Sequence, residues 1–164
     1  MSISLASIDY WVHDPAREAI PPGRRSKQES DVKYICLGYY DPKKHAAMSE
    51  GELETMFDTC FEYDDQLRTN GHWAGGEALE PPEAAVTVTW RNGKVATTDG
   101  PYAETKEQLG GILLLEARDM HHAVELMSQH PAVKFGSLFE IRPAADLAEL
   151  IAASETRRRQ NGTR

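Results

Sequence analysis

Cysteine is scarce in this chain, with only Cys36 and Cys60 among 164 residues. Both lie in apolar-patterned segments without metal-type spacing. They read as reduced core thiols of a cytoplasmic protein rather than as a disulfide or a nucleophile. Long apolar runs are missing too. No stretch approaches the ~18 residues that span a bilayer, so no membrane association is expected. The N-terminus lacks a basic start followed by an apolar core of roughly 7–15 residues, so no signal peptide is expected either. An excess of positive charge is also absent: residues 32–156 carry 21 acids against 10 bases, a net of −11. Such a body repels phosphate backbones, which argues against nucleic acid as a partner. No histidine pair stands at ligand spacing from a carboxylate, so no metal is expected. Gly75-Gly76 and Gly110-Gly111 do not lead from a strand into a helix, which excludes phosphate loops and suggests bulges or close backbone approaches.

What is present is the composition of an ordinary globular domain, 40% apolar and 27% charged, long enough for one real core. Residues 1–31 mix Pro, Gly, Ser and charge, and read as an N-terminal arm in which Tyr10-Trp11 either docks on a groove or a partner subunit, or has no role. The main domain is expected over 32–153, followed by a basic tail at 154–164. Val32–Tyr40 is rich in β-branched and aromatic residues and reads as a strand. Ser49 with Glu52 makes a capping box that opens a helix ending at Asn70-Gly71. Trp73–Leu79 is a short strand. Val86, Val88 and Trp90 alternate with Thr87, Thr89 and Arg91, the pattern of a half-buried strand, and Asn92-Gly93 turns it into a hairpin. Leu109–Ala117 is apolar on both faces and should be covered on both sides. Asp119 caps a second helix ending at Pro131, Leu138–Arg142 is a last strand, and a short helix carries Leu147, Leu150 and Ile151. This order predicts an α+β fold, a ferredoxin-like antiparallel sheet with two helices on one face. The other face, apolar at its centre, predicts a homodimer.

The run Asp99-Gly100-Pro101-Tyr102-Ala103-Glu104-Thr105-Lys106-Glu107-Gln108-Leu109-Gly110-Gly111 is richer than a connection between strands requires. With Lys33-Tyr34-Ile35-Cys36-Leu37, Gly75-Gly76-Glu77-Ala78-Leu79 and Glu140-Ile141-Arg142-Pro143, it resembles the YCII-related domains of the DGPF subgroup between about Lys33 and Pro143. The resemblance implies a ferredoxin-like dimeric α/β barrel, similar to muconolactone isomerase. One similar domain eliminates chloride from a hydroxylated aromatic, and genes of the subgroup often neighbour extracytoplasmic-function sigma factors. Simpler members carry a His on the first helix and an Asp just before the Pro after the second. Here the first helix has no His and His130 precedes Pro131, so that acid–base pair is not carried over.

The candidates for chemistry therefore come from other residues. His72 opens a strand just after the helix C-terminus. It is either a proton carrier or a favourable contact with the helix dipole. Asp64 stands in the apolar stripe of Leu53, Met56, Phe57, Cys60, Phe61 and Leu67. It is either a base lining a wet cavity or an edge residue paired with Arg68. Asp99 is either a turn-former or an orienting carboxylate. Tyr102, Glu104 and Lys106 offer donors and acceptors for a small polar ligand, although Glu104–Lys106 can equally be a surface pair. Arg142 either clamps a carboxylate or pairs with Glu140. His121 and His122 are expected on the exposed side of their helix. Two readings stand. One is an acid–base enzyme of isomerase or lyase type, without cofactor, with His72, Asp99 and Asp64 catalytic and Tyr102, Glu104, Lys106 and Arg142 on the substrate, a compact cyclic or acidic metabolite. The other is a ligand-binding or regulatory module that docks a partner protein.

Overall fold

The computed structural model of the protein describes residues 31–162, so the arm expected at 1–31, with its Tyr10-Trp11 pair, lies outside the described residues apart from Asp31. Among the described residues six strands form, β1 Val32–Tyr40, β2 Trp73–Ala78, β3 Val86–Arg91, β4 Lys94–Asp99, β5 Gln108–Ala117 and β6 Leu138–Pro143. Four helices join them, α1 Pro42–Ala46, α2 Glu50–Thr69, α3 Met120–Ser128 and α4 Ala148–Asn161. The main sheet has the order β2-β5-β1-β6 with every pair antiparallel. That is the ferredoxin-like arrangement with one hairpin, β3–β4, inserted between its second and third strands.

Local signals explain the boundaries. Ser49 and Glu52 close the capping box at the head of α2, with the Ser49 N–H donating to Glu52 Oε2 at 2.7 Å. Asp119 accepts from the His122 N–H at 2.8 Å and starts α3. Asn92 (φ 52°) and Gly93 (φ 77°) make the left-handed pair that a tight hairpin requires. The short helix α1, capped by the Asp41 side chain, has no counterpart among the expected elements. Helix α4 is longer than expected and runs through position 153 to Asn161.

The core lies between one sheet face and the helices. Tyr34 and Cys36 of β1 stand opposite Leu115 and Leu113 of β5 and bury against Leu67, Ala123 and Met127. The other face presents Ile35, Leu37, Ile112 and Leu114, all only half-buried by the described residues, so within this chain β5 is covered fully on one side. Phe57 also departs from expectation, leaving the core stripe for the surface while Leu53 and Met56 stay buried. His122 reverses in the other sense and is buried beside the core.

The hairpin departs most. Cross-strand register puts Val86, Val88, Trp90 and Val95 on one face, and their exposures are 60, 65, 70 and 61%. The threonine face is the one that is partly covered. The alternation does mark a strand, but its apolar side turns away from this chain's core.

Candidate functional site

The structure does not bring the expected constellation together. His72 is buried at the head of β2 with Nδ1 2.9 Å from the Glu116 carbonyl, so Nδ1 carries the proton and donates. Its ring meets that of His122 edge-on at 5.0 Å. Strand β2 runs from Trp73, opposite Leu115, to Ala78, opposite Gly111, before the chain enters the hairpin that ends at Asp99. His72 therefore adjoins the main sheet, whereas Asp99 ends the separate two-stranded sheet of the hairpin. Asp99 and Glu104 are exposed, and Tyr102 is 90% exposed. Arg142 pairs with Glu140 on β6, on the sheet face away from the helices.

Asp64 is buried, and its partner is His130 rather than Arg68; Arg68 pairs with Asp65 and lies over the Trp73 ring at 4.8 Å. His130 Nε2 is 3.3 Å from Asp64 Oδ1, while its Nδ1 accepts from the Ala132 N–H at 3.3 Å. The accepting Nδ1 fixes the proton on Nε2, which donates to the carboxylate. The two residue types implied by the resemblance thus do meet, with their elements exchanged: the carboxylate on the helix and the imidazole before the proline. Tyr63 and Phe139 hold the His130 ring edge-on at 5.5 and 5.1 Å. Beside the pair, burial pushes the Cys60 thiol up to about 11, and the Asp64 charge adds to it. The pair ties α2 to the α3–β6 connection.

A second cluster forms where β1 runs into α1, from residues that carried no sequence motif. Tyr40, Asp41, Lys44 and His45 line a cleft with Met48, Met56, Phe135, Gly136 and Ser137. Gly110 lets the Tyr40 ring lie flat against β5, since a Cβ there would stand 2.7 Å from Tyr40 Cδ1. Lys106 of the long loop reaches into this corner, 3.6 Å from Asp41 Oδ2 and 3.1 Å from Glu107 Oε1. Among the described residues Lys44 has no carboxylate within ion-pair distance, and its Nζ rests over Gly136. The cavity of about 20 Å³ has room for a water molecule. A larger guest needs exposed Lys44 or Phe135 to swing aside.

The charges in this corner are sorted. Burial pulls the Asp41 carboxyl upward, but the backbone N–H groups of Lys43 and Lys44 and the charges of Lys106 and Lys44 outweigh it and hold it below its usual value. Burial lowers His45, favouring the neutral imidazole. Burial and then the Glu83 charge raise Tyr40, which stays a phenol and a donor. Hydrogen bonding to Glu107, with the charges of Glu107 and Asp41, raises Lys106 and keeps it cationic. The cleft thus holds a neutral base, a phenolic donor and the Lys44 ammonium, together with the Asp41 carboxylate that Lys106 faces, groups that can bind an anion and move a proton on it. The cleft was not legible in advance because its residues are adjacent in sequence yet fall in a strand end, a cap and a helix of one turn. Among the described residues no three His, Cys, Asp or Glu side chains converge as metal ligands. No helix among them is long and apolar enough to cross a membrane.

Fold and cleft together define a small α+β protein with a ferredoxin-like sheet and a polar corner beside it. The chain belongs to the YCII-related domain family, whose pattern matches residues 32–148. It is also similar to an uncharacterised protein of Rhizobium meliloti strain 1021, 31% identical over 116 residues, which covers 68% of this chain and 91% of that relative.

Proposed function

We propose that this protein is a DGPF-type member of its family, a cytoplasmic homodimer that binds a compact carboxylic acid at the Tyr40–Lys106 corner and moves a proton on it. The reaction is of isomerase or lyase type and uses no metal. The observation that carries this reading is the meeting of Lys44, without a carboxylate partner among the described residues, and a neutral-favouring His45 in one cleft. Lys44 holds the substrate carboxylate. His45 takes the proton from the adjacent carbon, and the C–H electron pair moves into an enolate-like system that the Tyr40 hydroxyl and Lys106 stabilise. In a substrate with an adjoining C=C the pair shifts that double bond and takes the proton back at its far carbon, an isomerisation; in one with a leaving group on the next carbon the pair forms a C=C and expels that group, an elimination. His45 takes the proton-carrier role in place of His72 and Asp64, whose ring nitrogen and carboxylate are engaged within the fold. The half-exposed face of Ile35, Leu37, Ile112 and Leu114 supports the dimer, since a second sheet would cover it.

Deuterium wash-in tests this reading without knowledge of the product. Compact carboxylic acids are incubated with the protein in D2O and followed by NMR. The reading expects exchange at the carbon beside the carboxylate, lost in His45→Gln and weakened through binding in Lys44→Ala. Binding without exchange favours the second reading, a ligand-sensing module connected to sigma-factor regulation. The 90% exposure of Tyr102, well placed to touch a partner protein, supports that alternative.

A further inference from the structure

Helix α4 stands apart from the core. None of its 14 residues is buried, and a helix of that length is marginal in water unless one face packs. Leu147 at its cap, with Leu150 and Ile151 in its first turn, are 51, 66 and 53% exposed. Helical spacing continues that face through Ser154 to Arg158, with Arg157 at its edge. Among the described residues Arg157 and Arg158 have no carboxylate within ion-pair distance, whereas Arg159, round the helix, lies 4.0 Å from Glu155.

Helix α2 carries the converse pattern beside its buried stripe. Glu50, Glu54, Phe57 and Phe61 recur at the same spacing as Leu147, Ile151, Ser154 and Arg158, but with the charges first and the apolar groups second. Phe57 is partly exposed and stacks on Phe61. Glu50 and Glu54 are exposed, and among the described residues neither has a cation within ion-pair distance.

We propose that α4 docks on α2 of a second copy of the chain, running antiparallel to it, in a reciprocal exchange about a two-fold axis. The antiparallel register sets Leu147 and Ile151 against Phe61 and Phe57, Ser154 against Glu54, and Arg158 against Glu50. Arg157 then flanks both acids. The parallel direction would set Leu147 on Glu50 and bring Arg158 towards Asp65, which Arg68 already holds. A second copy is the occupant because the chain carries both halves of the match, yet within one chain both faces stay exposed. The two-fold axis forms the contact twice, each copy giving one helix and receiving the other. Docked there, α4 stands beside the polar corner, since Phe57 meets the His45 ring edge-on at 6.3 Å. The contact goes beyond the proton transfer proposed above and needs no turnover.

The test mixes two full-length variants, Phe57→Cys and Ile151→Cys, under mild oxidation and reads disulfide-linked dimer on a non-reducing gel. Far-UV circular dichroism confirms that each variant is folded. The mixture should give several-fold more linked dimer than either variant alone. Arg158→Glu added to the Ile151→Cys chain should cut that yield several-fold, and Glu50→Lys added to the Phe57→Cys chain should restore it. Ser154→Cys mixed with Glu54→Cys repeats the measurement without touching Phe57. The proposal is overturned if neither mixture links better than its members alone, if Arg158→Glu leaves the yield unchanged, or if Glu50→Lys fails to restore it. It is also overturned if one chain carrying both Phe57→Cys and Ile151→Cys closes its disulfide at the mass of a single chain, which would put α4 on its own α2.

Discussion

Asp64 and His130 illustrate how a titratable pair can be held by the core. Each side chain is 7% exposed, the imidazole donates through Nε2, and its other nitrogen caps the turn at Pro131. Removing the imidazole leaves a buried carboxylate without its donor. His130→Ala should therefore cost on the order of 3 kcal/mol in denaturant unfolding. Asp64→Asn keeps an acceptor in place and should cost about 1 kcal/mol. Cys36 gives a pH prediction. Burial raises its thiol from 9.0 to about 11, so the unfolded chain loses that proton first. Its contribution to stability is full below pH 9 and falls as pH rises towards 11. A melt series across that range should show the fall, and Cys36→Ala should reduce it, the part due to the Cys60 thiol remaining. His45 has the opposite sign. Its lowered value means that protonation favours the unfolded chain and disables the base, so any turnover should fade only below the ordinary histidine range.

At the scale of elements, the sequence is legible where a local rule has no competitor. The capping box of Ser49 and Glu52, the Asn92-Gly93 turn and the span of β1 all follow from neighbours in the chain. Ser49→Ala should accordingly cost about 1 kcal/mol of unfolding free energy. Legibility ends where orientation depends on distant packing. Periodicity places Phe57 and Leu53 on one helix face, but it cannot say where the core ends, and Phe57 lies past that edge. The same limit inverts the hairpin, whose alternation is correct and whose inward side is not. Helix α1 has no periodic signal because five residues give periodicity nothing to repeat; its mark in the sequence is the Asp41-Pro42 pair, a cap followed by a proline at the first turn. Gly110 reads from the sequence as a close approach, and its neighbour proves to be the Tyr40 ring. Gly110→Ala should displace that ring and weaken any ligand held in the corner more than it lowers the melting temperature.

For the molecule as a whole, the acidic body and its two apolar surfaces set the terms. A net charge of −11 over residues 32–156 repels anions in general. An anionic guest therefore needs local cations, and Lys44 and Lys106 supply them at the corner where His45 waits. The most direct measurement is the melting temperature of wild type and folded variants against a panel of compact carboxylic acids. A ligand at 100 times its dissociation constant adds ~2.7 kcal/mol, a shift of several degrees in a domain of this size. The account predicts that at least one such acid raises the melting temperature of wild type and of Asp99→Asn but not of Lys44→Ala. An acid that stabilises Lys44→Ala as fully as wild type, or loses its effect in Asp99→Asn instead, would contradict it.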